Sequence, residues 1–258
     1  MKISLIQMKV LKTPEENLKK IESLVQEAVK QGGELIVLPE MCCCEYCNSS
    51  FAEYAMEENS AFLTGLACVA EKNGIVLVAG TVPERDGEKI YNTSYVFDET
   101  GNMLAKHRKV HLFDINVKNG ISFKESSVLS SGERFTSFDT KWGRIGLIIC
   151  FDIRFPEFIK IHSDELKMII VPASFNMTTG PSHWELLFRA RAVDNQVFMA
   201  GCASALDESA GYHSYGHSII TNPWSGIVAQ LGTEEEIITC ELDLKEVENV
   251  REQIPLYN

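Results

Sequence analysis

Three short stretches place reactive side chains where chemistry is possible. In IVLPE, Glu40 directly follows an apolar run. In KHRKVHLFD, Lys109 sits in the middle of a basic cluster. In GRIGLIICFDIRFPE, Cys150 ends an apolar run, and Pro156 follows within six residues. This last pattern reads as strand, tight turn and helix, the geometry that lifts a nucleophile into the open at the carboxyl edge of a sheet. A nearby helix N-terminus favours the thiolate. An acid, an ammonium and a thiol are the parts needed for covalent acyl transfer without a histidine. Each alone also has a structural reading: Cys150 as a small buried hydrophobe, Glu40 as a loop carboxylate or cap, Lys109 as part of a solvated face. Jointly they argue for chemistry. Glu40 and Cys150 fall at the carboxyl ends of buried strands, where open α/β sheets hold their ligands.

The elements that must position these residues alternate strand and helix. Residues 3–8 read as a short apolar strand. TPEENLKKIESLVQEAVKQGG predicts a helix with punctuation at both ends. Thr13 is the cap, Pro14 the first helical residue, Glu16 completes a capping box, and Gly32-Gly33 is the stop. Leu18, Ile21, Val25 and Ala28 share one face. ELIVLP predicts a strand buried on both sides. A second helix is expected over NSAFLTGLACVAEKNG, a strand over IVLVAGTV, and a hairpin over NTSYVFDETGNMLAKHRKV, turning at residues 98–101. The second half repeats the order: strand GRIGLIIC, helix FPEFIKIHSDEL, strand KMIIVPASF, helix SHWELLFRARAVDN, strand QVFMAGCAS and hairpin HSIITNPWSGIVAQLG. This predicts one α/β domain over residues 1–258, its two halves forming two sheets packed face to face with helices outside. A single doubly wound sheet is the alternative, and the extra hairpins argue against it.

The 258 residues are 45% hydrophobic and 23% charged, with a formal net charge of −12. That charge argues against nucleic acid or an anionic membrane as partner. It leaves room for a small anionic substrate held by a local cation. MKISLIQMKVLKTPEENLKK lacks the apolar stretch and small-residue site of a signal peptide, and no window reaches the ~18 apolar residues of a spanning helix. A cytoplasmic address is expected, with the eight cysteines reduced. No cofactor and no metal are expected. Cys44 and Cys47 have the spacing of half a zinc site, but no second half lies at a useful distance. Adjacent Cys42, Cys43 and Cys44 point different ways.

LPE, HRKVHLFD and ICFDIRFPE, in that order, resemble the signature of the nitrilase superfamily of carbon–nitrogen hydrolases. The resemblance runs from ISLIQ to REQIP. Within it, SFNMTTGPSHWELLFRARAVDNQVF and GHSIITNPWSGIVAQLGTEEE are similar to the omega-amidase branch, which hydrolyses the terminal amide of 2-oxo dicarboxylic acid monoamides such as 2-oxoglutaramate and 2-oxosuccinamate. The resemblance implies a four-layer αββα sandwich that forms a homodimer. It implies Glu40 as general base, Lys109 as oxyanion-stabilising lysine, Cys150 as nucleophile and Glu125 as a second pocket glutamate. The backbone N–H of Phe151 becomes a second oxyanion donor. Arg154 falls where a substrate carboxylate is held, with a salt bridge to Glu157 or Asp152 as its structural alternative. Phe175, Asn176 and Thr179 belong to the segment lining the pocket.

Two departures from the family pattern raise further expectations. Cys42 and Cys43 stand where an aromatic and a polar residue are usual. They are expected to shape the pocket rim and to be prone to oxidation. The sequence stops at IPLYN, short of the tail that commonly crosses the dimer interface, which leaves the strength of dimerisation open. Rival activities are amidases for deaminated glutathione or an N-carbamoyl amino acid, and, with less support, nitrile hydrolysis. A non-catalytic binding module would be expected to have lost one of Glu40, Lys109 and Cys150, and all three are present.

Overall fold

The computed structural model describes residues 1–118, 120–160, 162 and 165–256. Its first sheet holds β1 (Lys2–Gln7), β2 (Leu35–Val37), β3 (Val76–Val78), β4 (Val82–Asp86), β5 (Lys89–Phe97) and β6 (Met103–Arg108). A two-stranded ribbon follows, β7 (Asp114–Asn116) with β8 (Ser122–Lys124). The second sheet runs from β9 (Thr136–Thr140) and β10 (Gly143–Leu147) through β11 (Leu166–Ala173) and β12 (Phe198–Ala203) to β13 (Ile219–Thr221) and β14 (Ile227–Gln230). In each sheet three central strands are parallel: β1, β2 and β3, and β10, β11 and β12.

Alternation along the central strands decides the layers. Ile3, Leu5, Leu35, Val37, Val76 and Val78 face one way and meet Ile145, Leu147, Met168, Ile170, Phe198 and Ala200 of the second sheet. Ile6, Ile36 and Leu77 face the other way. They are covered by α1 (Pro14–Lys30) and α3 (Ala61–Asn73), with the short α2 (Asn48–Glu53) beside them. Ile169, Val171 and Met199 on the far side of the second sheet are covered by α4 (Pro156–Lys160) and α5 (Gly180–Asn195). The result is an αββα sandwich, as the resemblance implies.

Local chemistry explains the helices. Thr13 Oγ1 accepts the Glu16 N–H at 3.3 Å, and a Glu16 carboxylate oxygen accepts the Thr13 N–H at 3.2 Å, closing the capping box. Ile21, Val25 and Ala28 are fully buried under α1. On α5, Trp184, Phe188 and Ala192 recur every four residues and are buried. The helix lies so close to β12 that a Cβ on Gly201 would sit 2.3 Å from the Phe188 ring; only glycine fits there.

Several expectations need correction. IVLVAGTV is not one strand. It breaks between β3 and β4 at Gly80, whose φ is +58° and whose Cβ position lies 2.1 Å from the Pro39 carbonyl oxygen. The two halves do not each keep their own sheet. β15 (Glu236–Glu241) crosses from the second half to pair antiparallel with β1, Leu5 opposite Ile238. The helix expected over FPEFIKIHSDEL is described only as α4, since residues 161, 163 and 164 lie outside the described residues. Strand β9 and the final helix α6 (Lys245–Gln253) gave no signal in the sequence reading.

Candidate active site

Glu40 comes three residues after β2 and is held by the turn that Gly80 makes possible. Thr81 N–H donates to the Pro39 carbonyl at 3.2 Å, and Thr81 in return accepts from Met41 N–H at 2.8 Å and Cys42 N–H at 3.1 Å. The Glu40 carboxylate is buried. Its Oε1 accepts from Asn92 Nδ2 at 2.8 Å, Lys109 Nζ at 2.8 Å and Tyr46 OH at 3.4 Å, while Oε2 has no hydrogen-bond partner. Burial raises its pKa above the ordinary carboxylate range; Lys109 opposes this and Glu125 adds to it.

The basic cluster divides by strand alternation. Lys106 and Arg108 lie on the outer side of β6 and pair with Glu84. Burial works against the Glu84 carboxylate, but Arg108, Lys106 and Thr93 outweigh it and bring its pKa down to about 2. The solvated-face reading thus suits those two residues. Lys109, on the inner side, is completely buried. Its Nζ donates to Glu40 Oε1 at 2.8 Å and Glu125 Oε1 at 3.0 Å. Burial disfavours the ammonium, yet Glu125, Glu40 and Cys150 hold its pKa well above the usual lysine value. Glu125 is fixed in turn by Tyr46 OH at 2.6 Å and Phe113 N–H at 2.7 Å. Two of the three ammonium protons are therefore engaged and one is left for a substrate oxygen.

Cys150 follows β10 and opens a tight turn over Cys150–Arg154 with φ +44°, a left-handed conformation costly for a residue with a Cβ. Its thiol is pushed well above the usual value by burial and by the Glu40 charge, against a pull from Lys109. Cys150 is thus held as a thiol beside a carboxylate. The Phe151 N–H belongs to the first donors of this turn, which have no acceptor inside it.

One buried carboxylate ties this turn to the lysine segment, and the sequence reading missed it. Asp152 accepts from Ile149 N–H at 3.1 Å and His111 N–H at 2.8 Å, and its oxygens lie 2.8 Å from His111 Nδ1 and 3.4 Å from His107 Nε2. Burial would raise its pKa, but His107 and His111 bring it down to about 2. The available signal was two histidines, each two residues from Lys109, and an aspartate two residues from Cys150. Tyr46 and Asn92, which hold the glutamates, were also missed.

Arg154 leaves the turn on another side. Its guanidinium carbon lies 5.4 Å from the Phe151 ring centre and 5.0 Å from that of Phe175, with Nη1 3.3 Å from His183 Nδ1. Its Nε is buried without a partner. Burial lowers its pKa, against the influence of Cys150. Among the described residues no carboxylate pairs with it, so the salt bridge to Glu157 or Asp152 does not form. Asn176 is occupied differently from a simple lining residue. Its Oδ1 accepts from Thr178 N–H at 2.9 Å and Thr179 N–H at 3.0 Å, shaping the entry to α5, and its Nδ2 is buried and unpartnered.

Cys42 and Cys43 do not form a rim. Both are fully buried in the layer under α1 and α3. The Cys42 thiol donates towards the carbonyls of Ala79 and Thr81, and burial, with Cys44 adding, pushes its pKa up to about 12. The Cys43 carbonyl accepts from Asn17 Nδ2 of α1 at 3.0 Å. A buried thiol held in its neutral form is a poor target for oxidation, which speaks against the second expectation. Among the described residues, no three His, Cys, Asp or Glu side chains are arranged to hold a metal ion.

The chain and its fold have known counterparts. The carbon-nitrogen hydrolase family model matches residues 2–252, and the chain belongs to that family, whose members hydrolyse carbon–nitrogen bonds. More particularly, it is 43% identical to omega-amidase NIT2 of Bos taurus, over all of this chain and 94% of that one. It is 42% identical to omega-amidase NIT2 of Homo sapiens, over 99% of this chain and 93% of that one. The crystal structure of Saccharomyces cerevisiae Nit3, a member of branch 10 of the nitrilase superfamily, superposes with a TM-score of 0.92 at 40% identity, covering 100% of this chain and 95% of that one.

Proposed function

We propose that the protein is an omega-amidase. It hydrolyses the terminal amide of a small 2-oxo dicarboxylic acid monoamide, such as 2-oxoglutaramate or 2-oxosuccinamate, to the acid and ammonia. The observation that carries this reading is Arg154, a largely buried guanidinium beside the thiol turn with no carboxylate of its own. A buried unpaired charge is costly. A substrate carboxylate relieves it, and the planar guanidinium suits two parallel hydrogen bonds. The relatives named omega-amidase support the same substrate class.

The chemistry follows from the geometry. Glu40 takes the Cys150 proton as the thiol attacks the amide carbon. The third Lys109 proton and the Phe151 N–H meet the oxyanion, each donor worth ~3 kcal/mol in the transition state. Glu40 returns its proton to the leaving nitrogen, and ammonia departs from a thioester on Cys150. Glu40 then deprotonates water, and the acid leaves. One carboxylate acts as base, acid and base again, which its raised pKa suits. Glu125 holds Lys109, and Phe175, Asn176 and Thr179 enclose the acid.

A homodimer and a cytoplasmic address belong to the same reading. Leu186, Val193, Trp224, Ile254 and Leu256 are exposed and adjoin one another along α5, the turn between β13 and β14, and the residues after α6, a patch suited to a second copy. Light scattering is expected to give twice the chain mass, and Val193→Glu half of that. All eight cysteines are free thiols, as a reducing compartment keeps them. The deciding experiment measures ammonia release from 2-oxo monoamides, deaminated glutathione, N-carbamoyl amino acids and nitriles. The 2-oxo monoamides are expected to give the highest kcat/KM, and a preference for any other class overturns the reading.

A further inference from the structure

We infer that a cavity on the β1 and β12 side of Glu40 holds the water that hydrolyses the Cys150 thioester, apart from the place that holds the substrate acid. The inference rests on the amidase reading and deepens it. The cavity measures about 90 Å³, room for roughly three waters at ~30 Å³ each. Glu40, Tyr46, Ser174, Ser204, Tyr212 and Ser214 are on its wall. Arg154, Phe175 and Thr179 are not.

The wall is polar where a water needs partners. The hydroxyls of Ser174 and Ser214 lie 2.7 Å apart, and Tyr212 OH donates to the Ser174 carbonyl at 2.6 Å. Ser174, Ser204 and Ser214 are all buried. The wall also reaches both reacting groups. Glu40 Oε2 is the buried carboxylate oxygen without a hydrogen-bond partner, and both the Glu40 carboxylate and the Ser174 main chain lie close enough to the Cys150 sulfur to act on its thiol.

Strand order separates the two sides. Glu40, Ser174 and Ser204 follow β2, β11 and β12. Lys109 follows β6, and Arg154 follows the turn after β10. An acyl group held at Arg154 blocks that approach to its own thioester. The leaving ammonia stands on the Glu40 side, because Glu40 protonates it, and water takes its place from the cavity. Glu40 Oε2 accepts one water proton while the oxygen bonds to the acyl carbon. The carbon–sulfur bond then breaks, and the proton passes from Glu40 to Cys150, restoring thiol and carboxylate.

Filling the cavity tests this. Ala205 is buried on its wall, and Ala205→Leu places a larger apolar group there. Ser204→Val, which adds less bulk to the same wall than a leucine does, keeps the test available should the first variant fail to fold. With a 2-oxo monoamide, kcat is expected to fall about tenfold and KM with it, leaving kcat/KM within about twofold, because only the step after ammonia release is slowed. Intact mass spectrometry of the enzyme during turnover is expected to show more acylated Cys150 than in wild type. Folded variants that keep wild-type kcat, or that lose kcat and kcat/KM together without acyl enzyme, overturn the inference. A wild type inactive on every amide overturns the amidase reading itself.

Discussion

The two charged regions around Cys150 are built on opposite principles. On one side Glu40, Lys109 and Glu125 are buried together, with Tyr46, Asn92 and a backbone N–H holding the two carboxylates in place. On the other, Arg154 lies between two aromatic rings with a bare Nε. The charges of the first region are paired with one another; the charge of the second has no opposite partner among the described residues. Charges that act on the transition state benefit from being fixed in advance. A charge that selects the substrate gains by being left unpaired, since the correct ligand then relieves a standing cost and a neutral one does not.

Substitutions on the two sides should therefore fail differently. The largest effect is expected on the paired side. Cys150→Ala and Glu40→Gln should each lower ammonia release by about 10³-fold or more with the fold retained by circular dichroism. Wild-type kcat/KM should fall on the acid side at a pH above that of a free glutamate, because Glu40 must be ionised to accept the thiol proton and its pKa is raised. On the open side, Arg154→Lys should raise KM for an anionic amide at least about tenfold and leave a neutral amide within about twofold. Equal effects on both amides remove Arg154 from the carboxylate role.

A smaller effect is expected where the two loops are tied. Asp152 has its pKa depressed to about 2, so its contribution is full above the unfolded value near 3.8 and disappears as pH falls through about 2. That difference corresponds to about 2 kcal/mol at neutral pH. Asp152→Asn should lose about this much in urea unfolding at pH 7, lose less at pH 3, and lower kcat about tenfold by loosening the Cys150 turn against Lys109. The smallest effect belongs to the cysteine run. Cys42→Ala should cost about 1 kcal/mol of stability and leave kcat unchanged. A thiol reagent should label the partly exposed Cys47, whose hydrogen bonds with Ser49 and Ser50 outweigh burial and lower its pKa, before Cys42 or Cys43.

What could be read from the sequence was local. Thr13, Pro14 and Glu16 announce α1 because capping acts within one turn. Glu40 and Cys150 are marked by the apolar runs before them. Lys109 stands out from its basic neighbours only once β6 is known to alternate. The rest depends on distant partners. Nothing near Gly80 says that the Pro39 carbonyl will press against it. Nothing near Asp152 says that two histidines from the other half will meet it. The direction of Cys42 and Cys43 turns on Met41, whose φ of +52° swings the chain inward. Non-glycine residues rarely adopt that angle, so sequence alone gives no reason to expect it.

The return of β15 to the first sheet has a consequence for how the enzyme is made. β1 leaves the ribosome long before the strand that covers its outer edge, Glu236–Glu241. Glu40 and Lys109 are synthesised long before Cys150, and the layer beneath them is sealed later still. A nascent chain that lacks β15 thus exposes the open edge of β1, a hazard for aggregation. The sheet that carries Glu40 can close its β1 edge only after β15 has been made.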